Sequence, residues 1–216
     1  MKTSHIPPAA IFKAYDIRGI VGDTLTVTGV EAIGRAIGSE AQARQRNTVV
    51  IGRDGRDSGP ELAAALARGL QASGVDVIDV GQVATPMLYY AAHELNTLSG
   101  VMVTGSHNPP EYNGLKMMLN GDTLAGDAIQ ALRQRIIDGD LSSGAGRCRS
   151  HDIRAAYLER IISSLKLARP MSIAVDCGNG VAGATAPELY RRLGCKVQEL
   201  FCEVDGSFPN HHPDPS

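Results

Sequence analysis

The sequence predicts an α/β fold in which a mixed, mainly parallel sheet flanked by helices is followed by an incomplete second βαβ domain. Short apolar runs such as TVVIG, VDVIDVG and SGVMV alternate along the chain with segments whose apolar residues recur at helical spacing. That alternation is typical of parallel strands joined by crossover helices. The chain has 216 residues, of which 43% are hydrophobic and 20% charged, a composition typical of a globular protein with a substantial core.

The first three helices are predicted from their capping signals. Thr28 followed by Glu31 forms a capping box that begins the first helix, and the strand TVVIG comes after it. A second capping box, S-G-P-E at residues 58–61, begins the next helix, which Gly74 ends as a left-handed C-cap. The strand VDVIDVG follows, and then Thr85 precedes a proline at the start of the third helix.

The rest of the chain predicts two domains joined by a linker. The strands SGVMVTG and GLKMML and a helix over residues 125–137 complete the first domain, residues 1–140. Residues 141–150 lose all periodicity and are the predicted linker. Residues 151–216 then contain a helix, the strand MSIAVD, the helix APELYRRLG and the strand CKVQELF, an incomplete second domain. Its uncovered apolar faces and open strand edge predict self-association of the truncated chain.

Charge and cysteine usage exclude several classes of protein. The 21 basic and 23 acidic residues give a net charge of -2, which argues against binding to nucleic acid or to an anionic membrane. No apolar run approaches the roughly 20 residues of a membrane span, and the amino terminus lacks the apolar centre of a signal peptide, so we expect a cytoplasmic protein. The four cysteines form no C-x-x-C pair and are expected to be reduced and free of metal.

One loop, TGSHNPPEYNGLK at residues 104–116, concentrates residues that could carry chemistry. Ser106 follows an apolar strand, Gly105 leaves room for a large anionic group, and the prolines stiffen the loop. His107 and Lys116 add an imidazole and a cation. The serine is either part of a crossover turn or a nucleophile. Acyl transfer is disfavoured, because the G-x-S-x-G elbow of hydrolases is absent.

A second segment, FKAYDIRGIVG at residues 12–22, carries more charge than a simple edge strand would. A solvated amino-terminal strand is its plainest interpretation, but such a strand would alternate more cleanly. Arg18, followed by a glycine, suits a guanidinium that lies against a phosphate. The polar residues that interrupt the apolar run are Lys13, Tyr15, Asp16 and Arg18.

The motif GRDGRDS at residues 52–58 follows the strand TVVIG. Arg53 and Arg56 could bind anions, but Asp54 and Asp57 are placed to pair with them. A structural ion-pair turn that leads into a helix is therefore the preferred interpretation.

The segment GNGVAG at residues 178–183 is a literal G-x-G-x-x-G between a strand and a helix. Glu199 or Glu203 follows about 20 residues later, as a dinucleotide site would require. Pro187 argues against it, because it lies where the helix needs free amides. Dinucleotide binding is kept as the less favoured interpretation.

Taken together, these motifs resemble the amino-terminal half of the α-D-phosphohexomutase family, the bacterial phosphomannomutases and phosphoglucomutases. The resemblance covers essentially the whole chain and rests on FKAYDIRG, TGSHNPPEYNGLK, VDCGNGVAG and DGSFPNHHPDP, of which TGSHNPP is highly specific. It implies that Ser106 carries a phosphoryl group and gives it to a hexose monophosphate. The serine then takes back the other phosphate from the hexose 1,6-bisphosphate after that intermediate reorients.

The resemblance also implies roles for the residues around the serine. Lys116, Arg18 and His107 would surround the reacting phosphoryl group, and either Lys116 or His107 would carry the proton. Tyr15, Arg18, Lys116 and Asn108 would contact the substrate, with Tyr15 lining the cleft and Asn108 shaping the loop. The turn at residues 178–183 would be a structural βα turn of the second domain.

The resemblance implies Mg2+ as cofactor, bound through the phosphate on Ser106 and a D-G-D-G-D loop. No such loop occurs in these 216 residues, and the domains that recognise the sugar are missing, so this fragment alone is expected to be inactive. Glucose or mannose phosphates are both compatible with it. The alternative is a non-catalytic sugar-phosphate or dinucleotide-binding α/β module.

Overall fold

A computed structural model describes residues 6–213 of the chain; residues 1–5 and 214–216, the ends of the two predicted domains, lie outside the described residues. The first sheet has seven strands. They are β1 (Ile17–Ile20), β2 (Thr48–Arg53), β3 (Asp76–Gln82), β4 (Gly100–Val103), β5 (Tyr112–Leu119), β6 (Asp122–Thr123) and β7 (Cys148–Ser150).

The strand order is β1-β5-β4-β2-β3-β7, and β6 pairs with the last two residues of β5. Strands β4, β2, β3 and β7 are parallel neighbours, whereas β5 runs antiparallel to β1, β4 and β6. The central strand β2 is buried on both faces, which explains its continuous apolar run. The prediction of a mixed sheet with a parallel centre is confirmed.

Helices cover both faces of this sheet. The helices against it are α1 (Val27–Ala43), α2 (Gly59–Ser73), α3 (Thr85–Glu94), α4 (Asp127–Asp138) and α5 (Arg154–Ser164), whereas α6 (Ala186–Arg192) packs in the second unit. Helices α1, α2 and α4 pack on one face around the larger apolar core, and α3 packs on the other face with part of α5. Within residues 6–213, no helix combines the length and the apolar character needed to cross a membrane.

Two of the predicted helix caps differ in the structure. Helix α1 begins at Val27, and its cap is Thr26, whose Oγ1 accepts a hydrogen bond from the Gly29 amide at 3.1 Å. Thr28 is therefore not the cap. Ser58 stands at the start of α2, but its Oγ accepts from the Asn113 side chain at 2.8 Å, so the second capping box does not form. The left-handed C-cap at Gly74, with φ of 97°, is confirmed.

The second unit begins with α5 and contains a small parallel sheet of β8 (Ser172–Asp176) and β9 (Lys196–Leu200) with α6 between them. This βαβ arrangement is the predicted one. The segment assigned to the linker is more ordered than its sequence indicates, because its last residues form β7 and pair with β3 at the edge of the first sheet. Arg147, just before β7, donates its amide to the Asp76 carboxylate at 2.7 Å.

Candidate active site

Ser106 lies in a tight loop at the carboxyl end of β4. Its backbone has a φ of 54°, in the left-handed region that few non-glycine residues adopt. The Ser106 amide donates to Thr104 Oγ1 at 2.9 Å, and the Asn108 side chain donates to the Gly105 carbonyl at 2.8 Å. These local hydrogen bonds hold the serine on a sharp, defined turn with its side chain partly exposed.

The guanidinium of Arg56 packs against this loop and donates hydrogen bonds to its backbone carbonyls. The Arg56 side chain is buried, and Asp54 lies 3.5 Å from its Nε. Asp54 also accepts the Gly105 amide at 3.1 Å. The guanidinium donates to four loop carbonyls, those of Ser106 (3.0 Å), Asn108 (2.6 Å), Pro109 (2.6 Å) and Tyr112 (3.0 Å). Burial lowers the pKa of Arg56, and the Asp54 carboxylate opposes that shift.

The motif GRDGRDS therefore forms one of the predicted ion pairs, between Asp54 and Arg56, whereas Arg53 and Asp57 make no ion pair within residues 6–213. The structure adds that both residues of the pair also hydrogen-bond the serine loop. The sequence contained no signal for these contacts, because Arg56 and Ser106 are 50 residues apart.

The contacts of Gly105 show a packing reason for a glycine at this position. A β-carbon at this position would overlap the guanidinium of Arg56 and would lie 2.7 Å from the Tyr112 carbonyl oxygen. The glycine therefore lets Arg56 pass directly beneath the loop. That Gly105 also leaves room for an anionic group beside Ser106 stays a prediction.

Replacing Gly105 by alanine should lower the free energy of unfolding by about 1–3 kcal/mol, as overpacking at a buried site does. Gly100→Ala on β4 is the matched control, since its new methyl group would find its nearest neighbour at 3.5 Å, an ordinary contact. Urea unfolding of both variants measures the difference. Equal stabilities would show that Arg56 can move aside at no cost.

A cluster of three charged residues lies beside the loop on one face of the sheet. Arg18 on β1 is opposite Gly114 of β5, two residues from Lys116. The Asp16 carboxylate, only 4% exposed, accepts from Arg18 at 2.5 Å and lies 3.9 Å from Lys116 Nζ. Two cations thus share one carboxylate, so the cluster retains a net positive charge that an anion could neutralise. Arg18 also donates to the Asn108 side chain at 3.3 Å, which joins the cluster to the loop.

Asp16 has one carboxylate oxygen, Oδ1, that is buried and has no hydrogen-bond partner among the described residues. Sequence reasoning noted Asp16 only as one of several charges in its segment. Its position between Arg18 and Lys116 depends on the antiparallel pairing of β1 with β5, which brings the two segments together.

The serine faces a cavity of about 630 Å³ between the loop and the second unit. Ser106 and His107 line it on one side, and residues of the turn after β8 and of the carboxyl-terminal tail line the other. His107 is exposed, with Nδ1 2.9 Å from the Pro213 carbonyl. Tyr15 is 77% exposed and, like Arg18 and Lys116, lies outside the lining of this cavity. The structure therefore places Ser106 with His107, and Arg18 with Lys116 and Asn108.

The far side of the cavity carries an ion pair that sequence reasoning missed. His211 Nδ1 lies 3.0 Å from the His212 carbonyl and its Nε2 lies 3.2 Å from the Asp176 carboxylate, and hydrogen bonds to these two oxygens raise the pKa of His211. The Gly178 amide and His211 in turn lower the pKa of Asp176. The cavity thus has the imidazole of His211, whose pKa is raised, on the side away from the serine loop. The two adjacent histidines of the tail were the only signal for it.

The turn at residues 178–183 packs against the chain itself. Asn179 donates from its amide to the Phe201 carbonyl at 2.7 Å and from its side chain to the Glu203 carbonyl at 2.9 Å. A β-carbon at Gly183 would overlap the carbonyl of Cys202. Close approach of backbone, rather than of a ligand, explains this glycine, which supports the interpretation of the segment as a structural turn.

Comparisons with known proteins show the family of this chain. A family model described as phosphoglucomutase/phosphomannomutase, alpha/beta/alpha domain I, matches residues 9–142, and the model for domain II of the same family matches residues 155–216. The phosphomannomutase/phosphoglucomutase of Pseudomonas aeruginosa is 58% identical over 217 residues, which cover 100% of this chain and 47% of that protein. A phosphoglucomutase of Neisseria meningitidis serogroup B is 58% identical over 209 residues, 95% of this chain and 45% of that protein.

A solved structure gives the same relationship. The crystal structure of a phosphoglucomutase/phosphomannomutase family protein from Burkholderia thailandensis superimposes with a TM-score of 0.92 at 52% identity, covering 95% of this chain and 47% of that one. The chain therefore spans about half the length of these relatives. On the matches to both domain models, the chain belongs to the phosphoglucomutase/phosphomannomutase family.

Proposed function

We propose that this chain is the amino-terminal part of a phosphohexomutase that interconverts hexose 1-phosphate and hexose 6-phosphate, with glucose or mannose as the sugar. The proposal rests on the position of Ser106. The serine lies on a turn that hydrogen bonds hold in place, and it lines a cavity. The cluster of Asp16, Arg18 and Lys116, with its excess positive charge, lies beside the same loop. The relatives named above are phosphoglucomutases and phosphomannomutases, which supports this choice of substrates.

In the proposed reaction Ser106 carries a phosphoryl group on its Oγ. The bond from phosphorus to the serine oxygen breaks while a bond to a hydroxyl oxygen of the hexose monophosphate forms, and Lys116 or His107 carries the proton from that hydroxyl to the released serine oxygen. After the bisphosphate reorients, the other phosphate returns to Ser106 by the reverse step. Such transfer depends on positioning and on charge stabilisation, which the rigid loop and the cations Arg18 and Lys116 would supply.

Tyr15 and Asn108 complete the proposed set of substrate contacts. Asn108 already accepts a hydrogen bond from Arg18, so it would help to direct that guanidinium toward the phosphoryl group. Tyr15 is exposed, and a bound sugar phosphate could cover its ring.

We propose that the complete protein uses Mg2+, but the described residues do not form a site for it by themselves. Residues 6–213 contain no group of three or more carboxylate, histidine or cysteine side chains that could hold a metal ion. The phosphate on Ser106 would supply one ligand, and the resemblance assigns the others to a loop outside this sequence. A bound Mg2+ would offset negative charge on the phosphoryl oxygens.

The domain division and the cellular location stay proposals. We assign residues 1–140 to the first domain, 141–150 to the linker and 151–216 to the second domain. The family models, which match residues 9–142 and 155–216, support a boundary in this region. We propose a cytoplasmic location and no nucleic acid or membrane partner, consistent with the net charge of -2. Self-association of the 216-residue chain stays a prediction.

Intact-mass measurement of the complete protein after incubation with glucose 1,6-bisphosphate tests the proposal. We expect the mass to rise by one phosphate, and fragmentation to place that phosphate on Ser106. The Ser106→Ala variant is the control and should take up none. Binding of the bisphosphate without a gain in mass would support the alternative, a non-catalytic sugar-phosphate module, and would contradict the mutase assignment.

A further inference from the structure

We propose that Arg56 is a positioning residue for phosphoryl transfer, which holds the Ser106 loop in its reactive shape and ties that loop to the second unit through Phe208. The kinetic consequence rests on the proposed function. The structural consequence, a loop kept rigid by one buried guanidinium, can be measured without any assay of activity.

The contacts of Arg56 are matched to the shape of its side chain. A guanidinium is planar and carries five donors in a fixed fork, and here Nη1 and Nη2 each donate to two loop carbonyls. The carbonyls of Ser106 and Asn108 lie on either side of His107, and both accept from Nη2. A lysine ammonium is a single point of charge and could not reach all these carbonyls at once.

These hydrogen bonds determine where the serine hydroxyl lies. The Ser106 carbonyl is held by Arg56, and the Ser106 amide is held by Thr104 Oγ1, so the peptide planes on both sides of the residue are constrained. Because φ at Ser106 is 54°, the chain could relax toward a commoner conformation if the carbonyl were released. Arg56 therefore keeps Ser106 in a conformation that the loop alone would not favour.

Because Arg56 is buried, we expect its hydrogen bonds to the loop carbonyls to form and break together. The residue is only 2% exposed, and a buried cation is costly unless its donors are satisfied. Asp54 supplies the opposite charge, and the loop carbonyls accept from Nη1 and Nη2, whereas Nε has no hydrogen-bond partner among the described residues. If the loop opened, the guanidinium would lose its acceptors together, so the closed loop is strongly favoured.

The remaining face of the guanidinium is covered by the second unit. Its central carbon lies 5.3 Å from the centre of the Phe208 ring, a cation–π geometry. The Phe208 amide donates to the Asp205 carbonyl at 3.1 Å, and the Asp205 amide donates to the Asn179 carbonyl at 3.0 Å. The turn after β8, which lines the far side of the cavity, is thereby connected to the serine loop through one arginine.

Arg56→Lys in the complete protein is the decisive variant, with Arg53→Lys from the same motif as its matched control. Arg53 makes none of the loop contacts described for Arg56 within residues 6–213. We expect Arg56→Lys to lower kcat about 100-fold, the effect of misplacing a reacting group by about 1 Å, with KM changed less than about threefold. Arg53→Lys should leave both constants within about twofold.

Hydrogen exchange supplies a readout that is independent of activity. The amides of Asn108 and Tyr112, which donate within the loop, should exchange at least about tenfold faster in Arg56→Lys, while the amide of Val50 in β2 should not change. Normal kcat together with normal loop exchange would overturn the proposal. Slow exchange with a low kcat would also overturn it, because Arg56 would then act by some route other than loop order.

Phe208→Leu keeps the test decisive if Arg56→Lys fails to fold. This variant removes the ring but leaves the hydrogen bonds of Arg56 to the loop, so we expect a threefold to tenfold increase in loop exchange and a matching fall in kcat. No change in either would overturn the proposed connection. If the wild-type protein had no mutase activity, the proposed function would fail, and the exchange measurements would still decide the role of Arg56.

Discussion

Replacing Ser106 by alanine in the complete protein should lower mutase turnover by roughly 1000-fold or more, since the proposed covalent carrier of the phosphoryl group would be lost. Thermal stability should change little, because the Ser106 side chain is only partly buried and its loop is held through backbone atoms. Steady-state conversion of glucose 1-phosphate with Mg2+ present, together with a melting curve, measures both quantities.

Ser106→Gly is the matched control for the backbone. Glycine adopts a φ of 54° without strain, whereas alanine does not, so the two variants separate loss of the hydroxyl from strain in the turn. Both should be inactive if the hydroxyl carries the phosphate. Near-normal turnover in either variant would end the assignment of Ser106 as the carrier.

The sequence predicted the elements whose signals are local. Apolar runs identified β2 to β5, and glycine at position 74 identified the end of α2, because a left-handed C-cap needs a residue without a β-carbon. The edge strand β7 was missed, since its three residues are all exposed and carry no apolar pattern. Pairing with β3, not composition, makes that segment a strand.

The capping errors have a physical cause that a sequence does not display. A capping serine can bond its own helix or a distant partner, and in α2 the hydroxyl of Ser58 bonds Asn113 of β5 instead. At α1 two threonines, Thr26 and Thr28, compete for the same role. The hydroxyls lie 3.3 Å apart, and the earlier one caps the helix. Both residues are threonines with the same capping propensity, so propensity could not show which of them caps α1.

The candidate site also has some features that the sequence displayed and others that it did not. The serine loop and the cations were visible as types of residue in short motifs, and the Asp54–Arg56 pair was visible as neighbouring opposite charges. The support of the loop by Arg56 was not visible, nor was the ion pair of Asp176 with His211, because both depend on how distant segments pack. Residues that support a site through backbone carbonyls leave no motif of their own.

The second large effect is expected at Lys116, whose replacement by methionine should lower kcat about 100-fold while KM rises by less than about fivefold. In the proposed reaction the ammonium would be needed most while negative charge shifts between the attacking and the leaving oxygen of the transfer. Methionine is an unbranched side chain without charge. Lys116 is partly exposed, and Asp16 keeps its short ion pair with Arg18, so the folded structure should survive with a loss below about 1 kcal/mol.

Lys13→Met is the matched control, because Lys13 is an exposed lysine in the loop next to Asp16 and has no assigned role. It should leave both kinetic constants within about twofold and so exclude a general effect of net charge. A change in KM alone at Lys116 would mean that the ammonium binds substrate and transition state equally, which would make Lys116 a ground-state binder. If kcat falls in Lys116→Met but not in Lys13→Met, the excess positive charge beside Asp16 acts on the phosphoryl group while it is transferred.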